Sequence, residues 1–311
     1  MLQIIHNRRW YYSFSALLII LSAVGLFSWG LRYGIDFTGG SLIQVKFLKS
    51  QPATVQEVAD SLSDLKFGDI RVQAAGDGSY HIRTRSLTSL EHDQSLRALA
   101  EKFSGLSPDL ASTIKTEEAV EELSFESIGP VIGEELRVKT WWAIAVVLLA
   151  IILYIAFAFR HVSHPVASWK YGLSAVLALA HDAFISAGVF AYFGHFFGAE
   201  ADSLFVTALL TIIGFSVHDT IVVFDRIREN LKQRAGSSFI ETINHSVNET
   251  LVRSINTSLT AMLVLAALAI FGGVSIKWFA IVLLIGIAIG TYSSIFIASP
   301  LLVFWSKHQK D

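Results

Sequence analysis

Six long stretches that are almost free of charge constrain the fold of this chain more than any other feature. Four of them contain no Asp, Glu, Lys or Arg, and the other two contain one acid each, Asp182 and Asp219. A helix needs about 20 apolar residues to cross the hydrocarbon core of a bilayer. All six stretches reach this length, and they predict transmembrane helices at residues 13–31, 140–159, 171–193, 203–224, 254–272 and 278–304.

The composition agrees with a membrane protein and excludes several other classes. Only 16% of the residues are charged, compared with about 25% in soluble domains. The net charge of −2 gives no basic bias toward nucleic acid, and the absence of cysteine excludes disulfides, thiolate metal sites and a cysteine nucleophile. We expect no metal site. The first stretch is too long for a signal-peptide core and lacks a small-residue cleavage site, so we interpret it as a helix.

Lys and Arg in the short loops predict which side of the membrane each segment faces. Cytoplasmic loops are enriched in these residues, and one side carries 11 of them, whereas the short loops on the other side carry Lys277 alone. The 11 are Arg8, Arg9, Arg160, Lys170, Arg226, Arg228, Lys232, Arg234, Arg253, Lys307 and Lys310. We therefore place the N-terminus (1–12), the loop 225–253 and the C-terminus (305–311) in the cytoplasm, and residues 32–139 outside it.

Two of these regions have a predicted structure of their own. Residues 32–139 show the order β-α-β-β-α-β, which is typical of a ferredoxin-like α+β domain. No catalytic constellation occurs in this domain, which favours a binding or mechanical module. In the loop 225–253, four apolar residues recur at helical spacing and predict an amphipathic helix on the cytoplasmic membrane surface. They are Phe239, Ile240, Ile243 and Val247.

Glycine-rich segments flank the outside domain. One begins at Gly34 and continues through Asp36 to Gly39 and Gly40, after the first predicted span. The other contains Gly129, Pro130 and Gly133, before the second span. Glycine permits tight turns, and hinge positions absorb backbone rotation, so we interpret both segments as hinges. A phosphate-binding loop is the weaker alternative, because no Lys follows at the required spacing.

Ionisable residues inside predicted spans are the strongest functional candidates. Asp182 and Asp219 lie within the third and fourth spans, where a carboxylate is costly and usually faces the bundle interior or a water-filled cavity. A proton or ion relay is the functional interpretation, and a carboxylate that only holds helices together is the alternative. His181 and His218 each precede one of the acids. Each histidine either carries protons or makes a structural hydrogen bond.

Two further features complete the predicted membrane site. Arg253 opens the fifth span and, like Asp219, lies toward the cytoplasmic side, so the two residues could form an ion pair that breaks on protonation. The alternative is an Arg whose head group reaches the membrane surface. In the sixth span small residues recur every four positions and predict close helix packing, within the chain or with a partner. They are Gly286, Gly290, Ser294 and Ala298.

Three segments resemble the SecF family of bacterial preprotein translocase subunits, which belongs with SecD to the RND superfamily. They are GIDFTGG (34–40), SIGPVIGEEL (127–136) and GFSVHDTIVVFDRIREN (214–230). The resemblance implies an RND-type half in the bacterial inner membrane, with six spans and one periplasmic domain. It matches Asp219 and Arg253 to the charged positions of proton flow, and Asp182 to an acidic position in the third span. His218 departs from the family, which typically has Asn there. The matched motif residues are Gly34, Asp36, Gly39, Gly40, Gly129, Pro130, Gly133, Asp225, Arg226, Arg228 and Glu229.

The function that the resemblance implies is protein export. A SecD–SecF complex would use the proton-motive force to promote late steps of preprotein translocation beside SecYEG. The implied partners are SecD, SecYEG, the unfolded preprotein and membrane lipid, with YajC and YidC as further candidates and no nucleic acid. We expect no enzymatic activity and no cofactor, and H⁺ as the coupling ion, with Na⁺ as the alternative. Two other functions stay open: half of an RND-type small-molecule exporter, and a membrane assembly factor that conducts no ions.

Overall fold

The chain forms two compact units. The computed structural model describes residues 2–48, 54–76, 78–105, 116–158, 167–233, 236 and 238–307. Residues 1–32 and 141–311 form a helical unit, and residues 33–140 form an α+β unit. Arg160, Arg234 and Lys310, which were used to predict the orientation, lie outside the described residues.

Long apolar helices build the helical unit. In the described part of the chain, six helices are long and apolar enough to cross a membrane, which confirms the predicted fold class. Each overlaps one predicted span. Numbered along the whole chain, they are α1 (Arg8–Ser28), α6 (Pro130–Ala158), α7 (Ser168–Phe197), α8 (Ser203–Gln233), α9 (Phe239–Phe271) and α10 (Val274–Ser293), with α10 continued by a π-helical turn (Ser294–Ala298) and α11 (Ser299–Lys307).

The π-helical turn in the sixth span has a local cause. Pro300 is the second residue of α11. As a proline it has no backbone N–H to donate, and in a regular α-helix its ring would collide with the carbonyl of Phe296. A wider turn of five residues relieves both problems. The hydroxyl of Ser299 donates to the Ser294 carbonyl at 3.0 Å, which closes the turn. The sixth span is therefore helical throughout but changes its winding at Ser294.

The predicted surface helix between the fourth and fifth spans is wrong. Helices α8 and α9 extend through most of residues 225–253 and leave only a short connection between them. Ile243 and Val247 are fully buried and pack with Ile227 of α8 in one apolar cluster. The helical spacing was interpreted correctly, but the apolar face covers the protein's own core and not lipid.

The N-terminal residues pack into the same cluster. Asn248 Oδ1 accepts the N–H of Leu2 at 2.9 Å, and Asn244 Nδ2 donates to the Leu2 carbonyl at 3.0 Å. Ile4 and Ile5 are 2% and 0% exposed among residues of α8 and α9. Two asparagines one turn apart on α9 thus hold the backbone of the segment that precedes α1.

Small residues bring the helices close together, as the stripe in the sixth span predicted. A methyl group on Gly286 would overlap the side chain of Ile212 in α8. A methyl group on Gly290 would lie 3.0 Å from the Ser216 Cβ, also in α8. The stripe therefore packs within the chain.

The α+β unit has the predicted ferredoxin-like topology. Its elements are α2 (Ile35–Thr38), β1 (Gly40–Phe47), α3 (Val55–Ser63), β2 (Arg71–Gly76), β3 (Ser79–Thr84), α4 (Ser89–Phe103), α5 (Thr116–Ala119) and β4 (Val120–Ile128). The strands form one antiparallel sheet in the order β2-β3-β1-β4. Alternating residues of β1, among them Ile43 and Phe47, are buried against Leu62 of α3 and Leu99 of α4.

A capping box fixes the start of α4. Thr88 accepts the backbone N–H of Glu91, and the Glu91 carboxylate accepts the N–H of Thr88 at 2.9 Å. Arg85 donates to the same carboxylate. These bonds, with the Arg85 guanidinium first, lower the pKa of Glu91 to about 2.

Candidate functional site

Asp219 joins three helices of the bundle. It lies on α8 and is 7% exposed. Its Oδ1 accepts the hydroxyl of Ser254 on α9 at 2.5 Å, and its Oδ2 accepts the hydroxyl of Ser294 in the π-helical turn at 2.5 Å. Hydrogen bonds to a charged group are the stronger class, and this carboxylate has one at each oxygen.

Asp182 lies in a second centre of the same kind. It is 0% exposed on α7. Its Oδ2 accepts hydroxyls from Ser216 of α8 at 2.5 Å and from Ser293 of α10 at 2.7 Å. Its Oδ1 lies 2.8 Å from Nδ1 of the preceding residue, His181.

Consecutive serines connect the two centres. Ser293 bonds to Asp182 and Ser294 bonds to Asp219, at the point where α10 passes into the π-helical turn. Each serine also has a second acceptor one turn back: the Gly290 carbonyl at 3.1 Å for Ser293, and the Thr291 carbonyl at 3.0 Å for Ser294. Both hydroxyls can therefore change acceptor without moving their helix.

Arg253 and His218 do not join the carboxylates. Both are exposed in the single chain. Among the described residues, no ion pair is found between Arg253 and Asp219, so the predicted pair is not formed. The reason is helical geometry, since successive residues point about 100° apart. Because Ser254 faces Asp219, Arg253 faces outward, and His218 is turned outward from Asp219 in the same way.

Other polar side chains on the same two apolar helices are also exposed. They follow Arg253 along α9 and precede His218 along α8, and they are Asn256, Thr257, Thr260, Thr207 and Thr211. The hydroxyls of Thr207, Thr211 and Thr257 donate to carbonyls of their own helices. Arg253 and Asn256 have stronger polar groups than a lipid-facing position favours.

The motif that follows Asp219 forms an ion-pair clamp between α8 and α9. Arg226 donates to both oxygens of Glu249, each at 2.8 Å, and to Glu229 at 2.6 Å. Asn230 donates to the same Glu249 at 2.6 Å. Arg228 lies 3.7 Å from Asp225 in a looser pair. These motif residues hold the extended parts of the two helices together.

The two glycine-rich segments come into direct contact. Gly39 has a φ of +70°, and a Cβ there would lie 2.9 Å from the Pro130 Cα. A Cβ on Gly133 would lie 2.8 Å from the Gly39 nitrogen and 3.5 Å from the carbonyl of half-buried Asp36. Gly40 has a φ of +122° and approaches the Thr84 carbonyl in the same manner. The segments predicted as separate hinges thus form one closely packed junction.

Other residues around this junction differ in role. Gly34 precedes the first residue of α2, and its carbonyl accepts a hydrogen bond from the Thr38 hydroxyl at 2.9 Å. Arg83, which the sequence did not single out, donates to the Tyr33 carbonyl at 3.0 Å and to the Thr38 hydroxyl. Gly129 has open space where a Cβ would lie.

Serines are the site residues that the sequence reasoning missed. Ser216, Ser254 and Ser293 were not predicted at all, and Ser294 was predicted only as a small packing residue. All four are buried. A polar residue in a nearly uncharged span could have marked them as candidates. Serine is common in such spans, however, and only the fold shows which serines hydrogen-bond to a carboxylate.

Comparison with known proteins agrees with these features. The family of SecD/SecF protein export membrane proteins, C-terminal part, matches residues 110–308, and the SecD/SecF GG motif matches residues 24–47. The protein translocase subunit SecF of Thermobaculum terrenum is 45% identical, covering 98% of this chain and 94% of its own. The SecF of Anaerolinea thermophila is 38% identical, also covering 98% of this chain and 94% of its own.

Solved structures show the same likeness. The crystal structure of SecDF, a translocon-associated membrane protein from Thermus thermophilus, has a TM-score of 0.79 and 34% identity, covering 97% of this chain and 38% of that one. A SecDF structure in a super-membrane-facing form has a TM-score of 0.66 and 33% identity, covering 99% of this chain and 39% of that one. The chain therefore belongs to the SecD/SecF family of protein export membrane proteins, and within it to the SecF subunits.

Proposed function

We propose that this chain works in a SecD–SecF complex that uses the proton-motive force to promote late steps of preprotein translocation beside SecYEG. In this proposal both termini are cytoplasmic and residues 32–139 are periplasmic. The observation that carries it is the pair of buried carboxylates, Asp182 and Asp219, which consecutive serines of one helix connect.

Protonation of Asp219 would change the bonds that join three helices. In the ionised carboxylate both oxygens accept, and Ser254 and Ser294 both donate. A proton on either oxygen turns that oxygen into a donor, so one serine must accept instead. The Ser294 hydroxyl can then donate its hydrogen bond to the Thr291 carbonyl, which lies 3.0 Å away. Proton uptake would thereby loosen or redirect the link between α8 and the π-helical turn.

The membrane potential is strong enough to drive such a change. Moving one elementary charge through it supplies about 2.3 kcal/mol per 100 mV. A hydrogen bond to a charged group contributes about 1.5–3 kcal/mol. One proton per cycle therefore matches the energy of the one or two bonds that protonation of Asp219 rearranges.

The exposed polar residues support a membrane-embedded partner. An arginine that faces lipid costs about 2.5–3.5 kcal/mol at the centre of a span, and Arg253, at the start of the fifth span, would meet part of this cost. Arg253 and Asn256 on α9, and His218 on α8, would avoid such a cost in contact with a second protein. We propose SecD as that protein, since the similar solved chains are SecDF chains of which this chain covers 38% and 39%. Arg253 would then take part in proton flow at this interface and not through a pair with Asp219.

The glycine junction would transmit the change to the outside domain. Helix α6 begins at Pro130 beside Gly39 and is continuous to Ala158. We propose that the helix passes a change in the second span to the junction. The outside domain would then hold or release the emerging preprotein.

The test uses vesicles that contain SecYEG, SecD and this chain, with export measured with and without an imposed proton gradient. We expect Asp219→Asn to keep assembly with SecD but to lose the part of export that depends on the gradient. Asp202→Asn is the matched control. It removes a negative charge at the residue before α8, and the amide oxygen of Asn can still accept the Phe205 N–H.

Each alternative function has its own outcome. If Asp219→Asn keeps the full gradient-dependent export, the relay is wrong and a non-conducting assembly factor is favoured. If vesicles with SecD show no gradient-dependent export at all but extrude a small amphipathic dye, the exporter half is favoured. Repeating the assay with a Na⁺ gradient in place of the proton gradient distinguishes the coupling ion.

A further inference from the structure

His181 has a buried nitrogen without a partner. Its side chain is 6% exposed, and among the described residues its Nε2 makes no hydrogen bond. Leaving a buried polar atom unpaired is costly, so such atoms are rare in folded proteins. Such an atom in a membrane-spanning helix calls for a proton, a water molecule or another ligand.

The surroundings of Asp182 determine the state of that nitrogen. Ser216 and Ser293 both donate to Oδ2, so the carboxylate is arranged as an acceptor. When Asp182 is ionised, His181 Nδ1 carries the proton that bonds to Oδ1, at 2.8 Å. A neutral imidazole with its proton on Nδ1 has a free lone pair on Nε2. With Asp182 ionised, the unpartnered atom is therefore a base.

We propose that His181 and Asp182 form one proton-binding dyad, in which Nε2 of His181 accepts the proton. The lone pair of Nε2 forms the new N–H bond, and the proton leaves a hydronium ion or water molecule that reaches the site. The net charge of the dyad changes from −1 to zero, which suits an apolar interior. This deepens the proposed function, on which it rests, by assigning a second loading site on α7.

A second unpartnered group lies on the same helix as the dyad. The Ser186 hydroxyl, one helical turn after Asp182, is buried and has no partner among the described residues. We include in the proposal a water that bonds to one or both of these unsatisfied groups. Such a water would supply and remove the proton at Nε2.

Helices α1, α8 and α10 with its continuation pack against α7. The titratable side chains within their predicted spans are Asp219 and His218 of α8 and Tyr292 of α10, and α1 carries Arg8, Arg9, Tyr11 and Tyr12 before its predicted span. Asp219 bonds to serines, Tyr292 donates to the Tyr11 carbonyl at 2.8 Å, and His218 is exposed. In the described part of the chain none of these groups bonds to the dyad. The link from the dyad to Asp219 thus runs through Ser293 and its neighbour Ser294.

Solid-state NMR tests the proposal on the full chain in lipid vesicles, with ¹⁵N-labelled histidine and no export assay. Subtracting the spectrum of His181→Asn identifies the His181 signals among the 10 histidines. Asn places its N–H near the position of Nδ1–H, so it keeps a donor for Asp182 but has no titrating nitrogen. His195→Asn, at the end of α7, is the control and must leave the His181 signals unchanged.

We expect Nε2 of His181 to be bare at high pH and protonated at low pH, within pH 5–9. In Asp182→Asn the midpoint should move, because the amide no longer carries the negative charge that faces the imidazole. A nitrogen that stays protonated, or stays bare, over this range overturns the proposal. So does a midpoint that Asp182→Asn leaves unchanged.

Export then separates this inference from the proposed function. His181→Asn should shift the pH profile of gradient-dependent export, whereas a merely structural role would lower the rate equally at every pH. If His181 titrates but Asp219→Asn exports normally, the dyad stands and the relay through Asp219 fails. If Asp219→Asn fails to export and His181 does not titrate, the relay stands and the dyad is wrong.

Discussion

Single methyl groups in the glycine junction give the sharpest test of the packing around it. Gly40→Ala places a Cβ 2.6 Å from the Thr84 carbonyl, in a backbone held by the β1–β3 pairing. It also forces an L side chain to a φ of +122°. The strain costs about 1–3 kcal/mol and the overlap about as much again, so we expect a loss of about 2–6 kcal/mol.

Gly133 and Gly129 complete the series. Gly133→Ala meets the Gly39 nitrogen at 2.8 Å but has helical geometry, so only the overlap counts, at about 1–3 kcal/mol. The Cβ of Gly129→Ala has no neighbour within 4 Å among the described residues, so this change should alter stability by less than about 0.5 kcal/mol. All three glycines belong to the family motif. Membership of the motif therefore cannot explain a difference among their stability losses, whereas the contacts of each Cβ can.

Hydrogen exchange of the full chain in detergent measures these changes locally. Because each 1.4 kcal/mol is a factor of ten, opening of β1 in Gly40→Ala should become at least about 30 times more frequent. Gly133→Ala should fall between this variant and the wild type, and Gly129→Ala should match the wild type. Equal effects of Gly129→Ala and Gly133→Ala, or an unchanged β1 in Gly40→Ala, would refute the packed junction.

Three other predictions concern single residues. Since the folded pKa of Glu91 is lowered to about 2, its contribution to α4 is present above its unfolded pKa of about 4.5 and is lost as pH falls toward 2. Hydrogen exchange of α4 should speed up over that window, and Glu91→Gln should remove the pH dependence. Gly286→Ala should lower the free energy of unfolding of the solubilised chain by about 1–3 kcal/mol, measured by thermal unfolding. Gly214→Ala, whose Cβ has no neighbour within 4 Å among the described residues, should not. Pro300→Ala removes the cause of the π-helical turn, so we expect a folded chain that loses gradient-dependent export; full export would show that the turn is dispensable.

The sequence was sufficient wherever local chemistry decides the outcome. Uncharged stretches must lie in lipid or in a core, so the six helices followed from the positions of the charges alone. Alternation in β1 and the helical spacing in α4 gave the β-α-β-β-α-β order for a similar reason. Asp182 and Asp219 stood out because a charge within such a stretch is costly.

The sequence failed wherever two distant elements compete for one position. Arg253 and Ser254 are neighbours, and charge alone favoured Arg253 as the partner of Asp219, yet the rotation of α9 brings Ser254 inward. Ile243 and Val247 had the spacing of a surface helix, but the neighbouring helix offered a protein surface in place of lipid.

What the sequence determined by itself was therefore the membrane class, the number of spans, the topology of the outside domain and the two buried acids. The tertiary structure alone decided their partners. It set four serines around the acids, directed Ser293 to Asp182 and Ser294 to Asp219, and left Nε2 of His181 unpaired among the described residues. The physical reason is that burial depends on composition along the chain, whereas a hydrogen bond depends on the rotation of each helix about its axis, which packing fixes.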